Sequence, residues 1–451
     1  MGIKLPDDFV KRMEATLGDE AADFFTALDD KPPVSVRFNP ERNKENEYLP
    51  IANEVPWESD AFYLSERPSF TYDPSFHAGL YYVQEASSMM IGQIIDQLPG
   101  KADMNLALDL CAAPGGKTTH LLSKLPENIF VLANEVTSTR LGALRQNIIK
   151  WGHPNAAVIN YPVETIAGTG IQADIVLVDA PCSGEGLFRK DSESINHWNE
   201  KNLVTCEVRQ RDIMFYTPQL VKEGGYLIYS TCTYNPGENI AQIKSCIAGG
   251  YFEIVPLDMS HIPGLITINE NHSIGYQCFP HKIKGEGFFF ACLRRTDKTF
   301  TSVLSKKIKP EGGYRKLNKE ELINLPPFIL ELQSNILVDK NLNYFYAPDA
   351  LFDLQHYMNI RPLFELGTLK GRDYIPAHGM SMLKKFENVY PVIELSYEDA
   401  IRFLKKETID VVISEHIGWA YVSYKGNRIG LIKILQNRIN NYLPVNLRIL
   451  K

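Results

Sequence analysis

The spacing of apolar side chains divides the first third of the chain into helical and strand-like stretches. From residue 6 to residue 29 (PDDFVKRMEATLGDEAADFFTALD), apolar positions recur at helical spacing behind acidic first turns, which predicts one or two amphipathic helices. Lys31, Pro32 and Pro33 end them. The alternating run from Val34 to Asn39 then predicts a strand in a small α+β unit that continues to about residue 75.

From about His77 to Arg295 the pattern becomes an apolar run, a glycine-rich turn and a helix, repeated along the chain. The repeats are NLALDLCAAPGGKTTHLLSKL, IFVLANEV followed by TSTRLGALRQNIIKWG, ADIVLVDAPCSG, and GGYLIYSTCTYNPGENI. Strands that alternate with helices indicate an α/β fold, a doubly wound and mostly parallel sheet. The run GEGFFFACLRR from Gly285 to Arg295 predicts a late hairpin strand at the edge of that sheet.

Composition shifts then suggest the domain boundaries. Thr299 to Gly313 is polar and basic with paired glycines, which predicts a linker. Two short α/β modules follow, with a second break near Ala377 to Met380. A chain of 451 residues is long enough for several cores. We therefore expect four units, at residues 1–75, 76–298, 299–379 and 380–451.

Charge and cysteine usage narrow the functional classes. The net charge is −7, yet residues 421–451 hold six Lys or Arg and no Asp or Glu, which favours either a phosphate-facing surface or a solvated basic tail. No apolar run of about 18 residues and no leader is present, so we expect a cytoplasmic protein without a membrane partner. Seven cysteines without a CxxC pair predict reduced thiols and no metal site.

Two of these cysteines end strand-like runs. Cys182 follows ADIVLVDAP, and Cys232 follows GGYLIYST. Parallel strands deliver the residues at their carboxyl ends to one crevice, so we expect both thiols in a single pocket. The alternative is that they are small buried hydrophobic residues, as free cysteines often are.

The first strand of the core leads into a small-residue loop and a helix N-terminus, which suit close approach of backbone amides to a ligand. GxGxxG and GxxxxGK[ST] are both absent. Glu135 ends the next strand, 20 residues after Gly115, where a carboxylate can accept both hydroxyls of a ribose. A nucleoside cofactor without pyrophosphate fits both facts, and S-adenosylmethionine is the obvious candidate.

Asp179, Cys182 and Cys232 together suit methylation of a pyrimidine at C5. That carbon is barely nucleophilic until a thiolate adds to C6 and turns the ring into an enamine. Such a site needs a nucleophile, an acid near the ring nitrogen, a group that helps to resolve the adduct, and a flipped-out base.

The motifs LDLCAAPGGKT, DAPCSGEG, STCTYNPGEN and PHKIKGEGFF, in this order, resemble those of the Sun (Fmu-type) family of RNA cytosine-5 methyltransferases over about residues 30–295. The resemblance implies a Rossmann-like methyltransferase core, with Cys232 as nucleophile, Cys182 assisting product release, and Asp179 beside both the cofactor and the target base. It assigns S-adenosylmethionine binding to these residues: Cys111, Ala112, Ala113, Pro114, Gly115, Gly116, Lys117, Glu135, Arg140 and Asp179.

One position departs from the family pattern. Where many relatives place an aspartate near the adenine of the cofactor, this chain has Asn160, Tyr161 and Pro162. Pro162 has no side-chain acceptor, so we expect either a modest affinity for the cofactor or contacts to the adenine from backbone groups.

The flanking regions carry the expectations about partners. The tail, GWAYVSYKGNRIGLIK followed by RINNYLPVNLR, resembles the PUA-like region of small-subunit ribosomal RNA methyltransferases. This implies an N-terminal RNA-binding domain, a C-terminal PUA-like α+β region, and 16S ribosomal RNA near the decoding region, or the small subunit, as the substrate of a monomeric enzyme. Transfer-RNA methylation, DNA methylation and a non-catalytic role in ribosome assembly are the alternatives.

Several polar residues are candidates for RNA contact, each with a structural alternative. In the N-terminal region Arg37 and Asn39 either face RNA or cap a turn. In the core, a larger set either contacts RNA or lies on a solvated helix: Arg189, Lys190, Gln210 and Arg211.

Overall fold

The computed structural model describes residues 4–300, 313–409 and 417–450. Most of the predicted linker at residues 299–313 lies outside these ranges. Across the described part of the chain, no helix is both long and apolar enough to cross a membrane.

The N-terminal region contains a pair of helices, as the apolar spacing predicts, and a small antiparallel sheet. The helices pack against the core residues Phe188, Trp198, Tyr234 and Phe279. Its elements are α1 (Asp7–Leu17), α2 (Ala21–Asp29), β1 (Val34–Phe38), β2 (Ile51–Val55), β3 (Glu58–Leu64), α3 (Pro74–His77) and β4 (Tyr81–Val83). The strands lie in the order β2-β3-β1-β4. Because β4 pairs with β1, this sheet continues past residue 75.

Arg37 and Asn39 are buried at the base of this sheet, so the prediction that they face RNA is wrong. Arg37 donates to Gln84 Oε1 at 2.9 Å and to Thr119 Oγ1 at 2.7 Å. Asn39 donates to the carbonyl of Trp151 at 2.8 Å. Both side chains therefore join the N-terminal sheet to the core, which the sequence pattern does not reveal.

The core is a doubly wound sheet with helices on both faces. Its strands are β5 (Leu106–Asp109), β6 (Phe130–Asn134), β7 (Ala156–Ile159), β8 (Ala173–Asp179), β9 (Val221–Thr231), β10 (Phe252–Ile254), β11 (Ile266–Glu270), β12 (Ser273–Cys278) and β13 (Phe288–Arg295). Its helices are α4 (Met90–Gln97), α5 (Gly116–Lys124), α6 (Leu141–Trp151), α7 (Val163–Ala167), α8 (Ser192–His197), α9 (Glu200–Leu220) and α10 (Ile240–Ala248). The strand order is β11-β12-β13-β9-β8-β5-β6-β7, and β5 to β9 are parallel.

The position of β13 corrects one expectation. This strand lies between β9 and β12 and pairs antiparallel with both, so it is not at the edge of the sheet. Its run Phe288–Leu293 is buried on both faces. An apolar run without alternation is what an interior strand requires, and β11 forms the edge instead.

Two smaller sheets follow the core. The first comprises β14 (Tyr314–Lys316), α11 (Pro327–Leu330), β15 (Ile336–Asp339), β16 (Asn343–Tyr346), α12 (Asp349–Leu354), β17 (Phe364–Lys370), β18 (Asp373–Pro376) and α13 (His378–Met382). The second comprises β19 (Val392–Glu394), α14 (Tyr397–Lys405), β20 (Gly418–Tyr424), β21 (Asn427–Ile434) and β22 (Ile439–Asn441). The break expected near Ala377 to Met380 coincides with α13, which is mostly buried.

One-turn 3₁₀ helices connect many of these elements: Gly18–Glu20, Phe70–Tyr72, Ser87–Met89, Lys101–Asp103, Ser138–Arg140, Glu185–Leu187, Glu321–Ile323, Gln333–Asn335, Lys384–Phe386 and Val445–Leu447.

The basic tail packs against the N-terminal region. The Asn427 side chain donates to the carbonyl of Asn43 at 2.8 Å and accepts from its N–H at 3.0 Å. Lys425 pairs with Glu45 at 2.9 Å, and Arg428 is buried. Part of the charge that was expected to face phosphate or solvent is therefore used to join the two ends of the chain.

Candidate functional site

The loop after β5 forms one wall of the site. Strand β5 lies between β6 and β8, where the order of the parallel strands reverses and open α/β sheets place their ligands. Gly115 has a φ of 111° and precedes α5, and a Cβ on Gly116 would lie only 3.2 Å from the Tyr82 ring. Both positions favour glycine, because the loop backbone turns sharply there and lies against an aromatic ring.

A cavity of about 160 Å³ opens at this loop. It is lined by Tyr82, Val83, Gln84, Glu85, Ser88, Cys111, Ala112, Ala113, Pro114, Gly116, Lys117 and Asp179. The sequence-predicted loop residues are therefore brought together with Asp179. The segment from Tyr82 to Ser88 was missed, because an apolar YYV followed by polar residues carries no recognisable signal.

Glu135 lies at the end of β6 and is tied to the same loop. Its carboxylate accepts from the N–H of Thr137 at 2.7 Å and pairs with Arg140 at 3.1 Å. Arg140 in turn donates to the carbonyl of Ala113. Asn160 donates to the backbone carbonyl of Val136 at 2.9 Å and also to that of Glu135. Asn160, in the segment that departs from the family pattern, thus stabilises the turn that carries Glu135.

Asp179, at the end of β8, is held by two donors. Lys117 donates to one carboxylate oxygen at 2.8 Å, and Ser230 donates to the other at 2.8 Å. Burial alone would lower the pKa of Lys117, but the neighbouring Asp179 carboxylate and other negative groups outweigh it and raise that pKa. Lys117 therefore stays a cation and keeps Asp179 oriented toward the crevice.

Cys182 and Cys232 meet at the ends of the adjacent parallel strands β8 and β9. Their sulfurs are 3.2 Å apart, and both are free thiols. The hydrogen bond to Cys232, followed by burial, raises the pKa of Cys182 well above its ordinary value. Cys182 is thus a neutral thiol beside Cys232. Cys111 lies in the loop after β5, and burial also raises its pKa.

Glu238 lies behind the two thiols and joins the segments that carry them. Its carboxylate accepts from the Ser183 N–H at 2.8 Å and from the Ser183 hydroxyl. It also accepts from Gln210 at 3.0 Å and from Asn235 at 3.3 Å. Burial raises the pKa of this carboxyl group. The Glu238 carboxylate therefore fixes the Cys182 loop relative to the chain that follows Cys232.

The glycines of the GEG motifs bring backbone close to Cys232. The N–H of Gly186 donates to the Cys232 carbonyl at 2.9 Å. A Cβ on Gly186 would lie 2.5 Å from the carbonyl oxygen of Gly287, and one on Gly287 would lie 2.5 Å from the Tyr234 ring. Only glycine at positions 186 and 287 leaves room for the close approach of these two loops to the segment from Cys232 to Tyr234. Both GEG motifs therefore help to fix the backbone position of Cys232, the candidate nucleophile.

Of the four core candidates for RNA contact, two have buried side chains and two are exposed. Gln210 is fully buried and donates to the Pro181 carbonyl at 3.1 Å. Arg189 donates to Glu286 at 2.8 Å and to the carbonyl of Ala27 at 3.0 Å. The prediction of RNA contact is therefore wrong for these two residues, while Lys190 and Arg211 are exposed.

The residues at the loop fit a nucleoside cofactor without phosphate groups. Glycine backbone and the small side chains of Ala112 and Ala113 leave room for close contact, and Glu135 offers acceptor oxygens for hydroxyl groups. At the base of the loop, Asp109 Oδ1 is buried and has no hydrogen-bond partner among the described residues. Glu85 and Asp179 are the acidic residues in the cavity lining, and their carboxyl groups disfavour a pyrophosphate and suit a sulfonium compound.

Three separate parts of the chain match models of known protein families. Residues 98–294 match the family model described as 16S rRNA methyltransferase RsmB/F. Residues 5–86 match the N-terminal domain of 16S rRNA methyltransferase RsmF, and residues 390–449 match the RsmF PUA domain. This chain belongs to the RsmB/F family. It is therefore a methyltransferase that uses S-adenosylmethionine, with a Rossmann-like core between an N-terminal domain and a PUA domain.

Individual relatives of the RsmB/F family agree over almost the full length. The chain is 28% identical to ribosomal RNA small subunit methyltransferase F of Vibrio atlanticus over 470 residues, covering 98% of this chain and 97% of that protein. It is 29% identical over 473 residues to the protein of the same name from Aliivibrio fischeri, with the same coverage.

Solved structures resemble about two thirds of the chain. A methyltransferase homologue from Pyrococcus horikoshii has a TM-score of 0.55 and 27% identity, covering 65% of this chain and 96% of that one. NSun6 from Pyrococcus horikoshii has a TM-score of 0.53 at 20% identity, covering 65% of this chain and 99% of that one, and supports the fold alone.

Proposed function

We propose that this enzyme methylates C5 of a cytosine in 16S ribosomal RNA through a covalent bond between Cys232 and C6 of the base. The observation that carries the proposal is the pair of free thiols 3.2 Å apart at the ends of two adjacent parallel strands. A methyltransferase acting on a nucleophilic nitrogen or oxygen has no chemical need for either thiol.

The first step activates the base. The Cys232 thiolate forms a bond to C6 of the flipped-out cytosine, and the electron pair of the C5–C6 double bond becomes available at C5. As the thiolate adds, negative charge develops at the ring nitrogen, and Asp179, held by Lys117 and Ser230, offsets it by donating a hydrogen bond or a proton to that nitrogen. When bound at the loop of Cys111 to Lys117, S-adenosylmethionine would supply an electrophilic methyl group; C5 would use its electron pair to form a bond to that group as the methyl–sulfur bond breaks, leaving S-adenosylhomocysteine.

The second step releases the product. The proton on C5 leaves to a base, the C5–C6 double bond forms again, and the bond between C6 and the Cys232 sulfur breaks. Cys182 assists, because a neutral thiol at 3.2 Å can hydrogen-bond to the departing sulfur. The raised pKa of Cys182 suits this role and disfavours it as the attacking thiolate.

The choice of substrate rests on the appended domains. The relatives that match 98% of this chain are named ribosomal RNA small subunit methyltransferase F. The N-terminal domain and the PUA domain supply the RNA-binding surface, and we place the target near the decoding region, as the motif resemblance implies. We further propose that the enzyme acts as a monomer in the cytoplasm.

The test is to map 5-methylcytosine by bisulfite sequencing after incubation with S-adenosylmethionine and three substrates: 16S RNA, assembled small subunits and transfer RNA. We expect a mark in the small-subunit RNA that Cys232→Ala abolishes and that Cys206→Ala, a thiol change on α9, leaves in place. A mark confined to transfer RNA would contradict the substrate, and a mark that survives Cys232→Ala would contradict the nucleophile.

A further inference from the structure

A second cavity, of about 890 Å³, lies away from the thiols. Helix α6 of the core, with Thr71, Phe76 and His77 of the N-terminal region, forms one side, and the two C-terminal regions form the other. Its volume falls in the range of small-molecule sites, which often lie between domains. None of its described lining residues also lines the cavity at the loop after β5.

The lining is strongly cationic. Arg145 and Lys150 come from α6, Arg361 from the chain before β17, and Arg448 from the tail, whereas Glu365 is the only carboxylate among the described lining residues. Within the described residues, none of these four cations forms an ion pair with a carboxylate. Arg361 and Arg448 are exposed to solvent, but Arg145 and Lys150 are half-buried. An unpaired cation that is partly removed from water is unfavourable, so the two cations of α6 favour an anionic occupant.

Two of these cations lack the partners that buried charges normally have. Arg145 Nε is buried without a hydrogen-bond partner among the described residues, and the neighbouring Arg361 adds to the burial that lowers the pKa of Arg145. The Lys150 ammonium lies 3.5 Å from the centroid of the Phe76 ring. Burial lowers the pKa of Lys150 to about 7. A bound anion would give both side chains the negative partner that they lack.

Apolar side chains line the rest of the cavity, among them Phe76, Phe345, Leu404 and Ile429. Phe345, Leu404 and Ile429 are almost fully buried, whereas the Phe76 ring is partly exposed. Cationic groups that bind phosphate, next to an aromatic ring that can stack on a base, are the combination that recognises an unpaired nucleotide.

Helix α6 also connects this cavity with the catalytic crevice. Asn147 lines the cavity and donates to the carbonyl of Pro114 at 2.9 Å, within the loop that holds the cofactor. A ligand in the cavity would thus bind against the same helix that supports the loop of Cys111 to Lys117.

We propose that this cavity binds one unpaired nucleotide of the substrate RNA, with its phosphate between Arg145 and Arg361 and its base beside Phe76 and Lys150. The inference rests on RNA being the substrate. It adds a second point of attachment, remote from the target base, that requires the core and both C-terminal regions to be docked together.

The direct test uses the full chain saturated with S-adenosylhomocysteine, so that the cofactor site is filled. Calorimetric titrations compare the four nucleoside 5′-monophosphates with the corresponding nucleosides. We expect at least one monophosphate to bind at least tenfold more tightly than its nucleoside. Arg361→Gln and Arg145→Gln should each weaken that binding about tenfold, whereas Arg372→Gln, an exposed position outside the cavity, should not.

Absence of monophosphate binding, or equal weakening by Arg372→Gln, would overturn the site. Thermal unfolding of each variant identifies any that fail to fold, and the second arginine then provides the independent case.

The RNA arm measures equilibrium binding of 16S RNA and, separately, the KM and kcat for methylation. We expect Arg361→Gln to weaken RNA binding and raise KM severalfold with kcat unchanged. Loss of monophosphate binding with unchanged RNA affinity would reassign the cavity to a free nucleotide and overturn the RNA assignment. If the wild type methylated no RNA, the proposed function would fail, while the two binding measurements would still decide the cavity.

Discussion

Glu238 accepts a 2.8 Å hydrogen bond from the backbone N–H of Ser183, the residue that follows Cys182. The chain from Cys232 reaches Glu238 through a tight turn in which Asn235 also donates to this carboxylate. One buried side chain therefore sets the relative position of the two sulfurs, although it touches neither of them in the described contacts.

We expect Glu238→Gln to lower kcat about 10- to 100-fold with little change in the KM for RNA. The amide replaces one acceptor oxygen with a donor, so either Ser183 and Gln210 or Asn235 lose an acceptor for their N–H groups. Bonds to charged groups contribute about 1.5–3 kcal/mol, and about 1.4 kcal/mol is a factor of ten in rate. Single-turnover methylation measures kcat, and the rate of Cys182 alkylation by iodoacetamide reports the loop itself.

Glu223→Gln is the matched control, since Glu223 is exposed and lies before the turn that leads into the apolar half of β9. Equal effects of the two substitutions would show that Glu238 has no positioning role. An unchanged alkylation rate together with a lowered kcat would assign Glu238 a different role in the reaction.

Cys182→Ala is expected to accumulate a covalent complex between protein and RNA in the presence of cofactor. Addition of Cys232 to C6 still proceeds, but release slows because the departing sulfur has lost its neighbouring thiol. A denaturing gel measures the slow-migrating band. Cys206→Ala should give no such band, and the double variant Cys182→Ala/Cys232→Ala should lose it; a band that persists in the double variant would rule out Cys232 as the attacking residue.

Strand ends were predictable because they depend on local pattern. Apolar runs closed by turn residues located β8 and β9, and parallel pairing then brings their carboxyl ends together, so the approach of Cys182 to Cys232 follows from sequence. The prediction that Gly285 to Arg295 forms an edge strand was wrong. An apolar run shows that a strand is buried on both faces, but it does not show which strands lie beside it in the sheet.

The side chains behind the site were not predictable. For Arg189, Gln210 and Arg37 the sequence leaves two alternatives, contact with RNA or a local role on a solvated helix or at a turn. Each side chain is instead buried against a partner elsewhere in the chain. A polar residue on a helix or strand carries no local sign of such a partner. Lys150 is a similar case, since only the docking of the C-terminal regions makes its surroundings a cavity.

Gly115→Ala is expected to weaken cofactor binding about tenfold or more. The φ of 111° at this position is unfavourable for a residue with a Cβ, and that Cβ would lie 3.3 Å from the Leu144 side chain. Calorimetry with S-adenosylhomocysteine measures the Kd.

Gly142→Ala provides the contrast. A Cβ there would meet nothing within 4 Å, and the residue lies inside α6. We expect unchanged cofactor affinity and about 0.5–1 kcal/mol of added stability from the higher helix propensity of alanine. Similar losses of affinity in both variants would contradict a special role for the loop.

Asp109 should make stability depend on pH in an identifiable window. Burial raises the pKa of this carboxyl group to about 7, although a hydrogen bond from Thr118 at 2.7 Å opposes the shift. The unfolded chain releases the same proton near pH 3.9. Between these values the folded state binds more protons than the unfolded state, so the contribution of Asp109 to stability falls as the pH rises from about 4 to 7.

We therefore expect the free energy of unfolding of the wild type to fall relative to that of Asp109→Asn as the pH rises from 5 to 8. One pKa unit corresponds to about 1.4 kcal/mol, so the change should reach a few kcal/mol. Urea unfolding at four pH values measures it, with Asp103→Asn, an exposed carboxyl group, as control. A constant difference between wild type and Asp109→Asn across this range would mean that Asp109 is ionised throughout, with its charge balanced by Lys117.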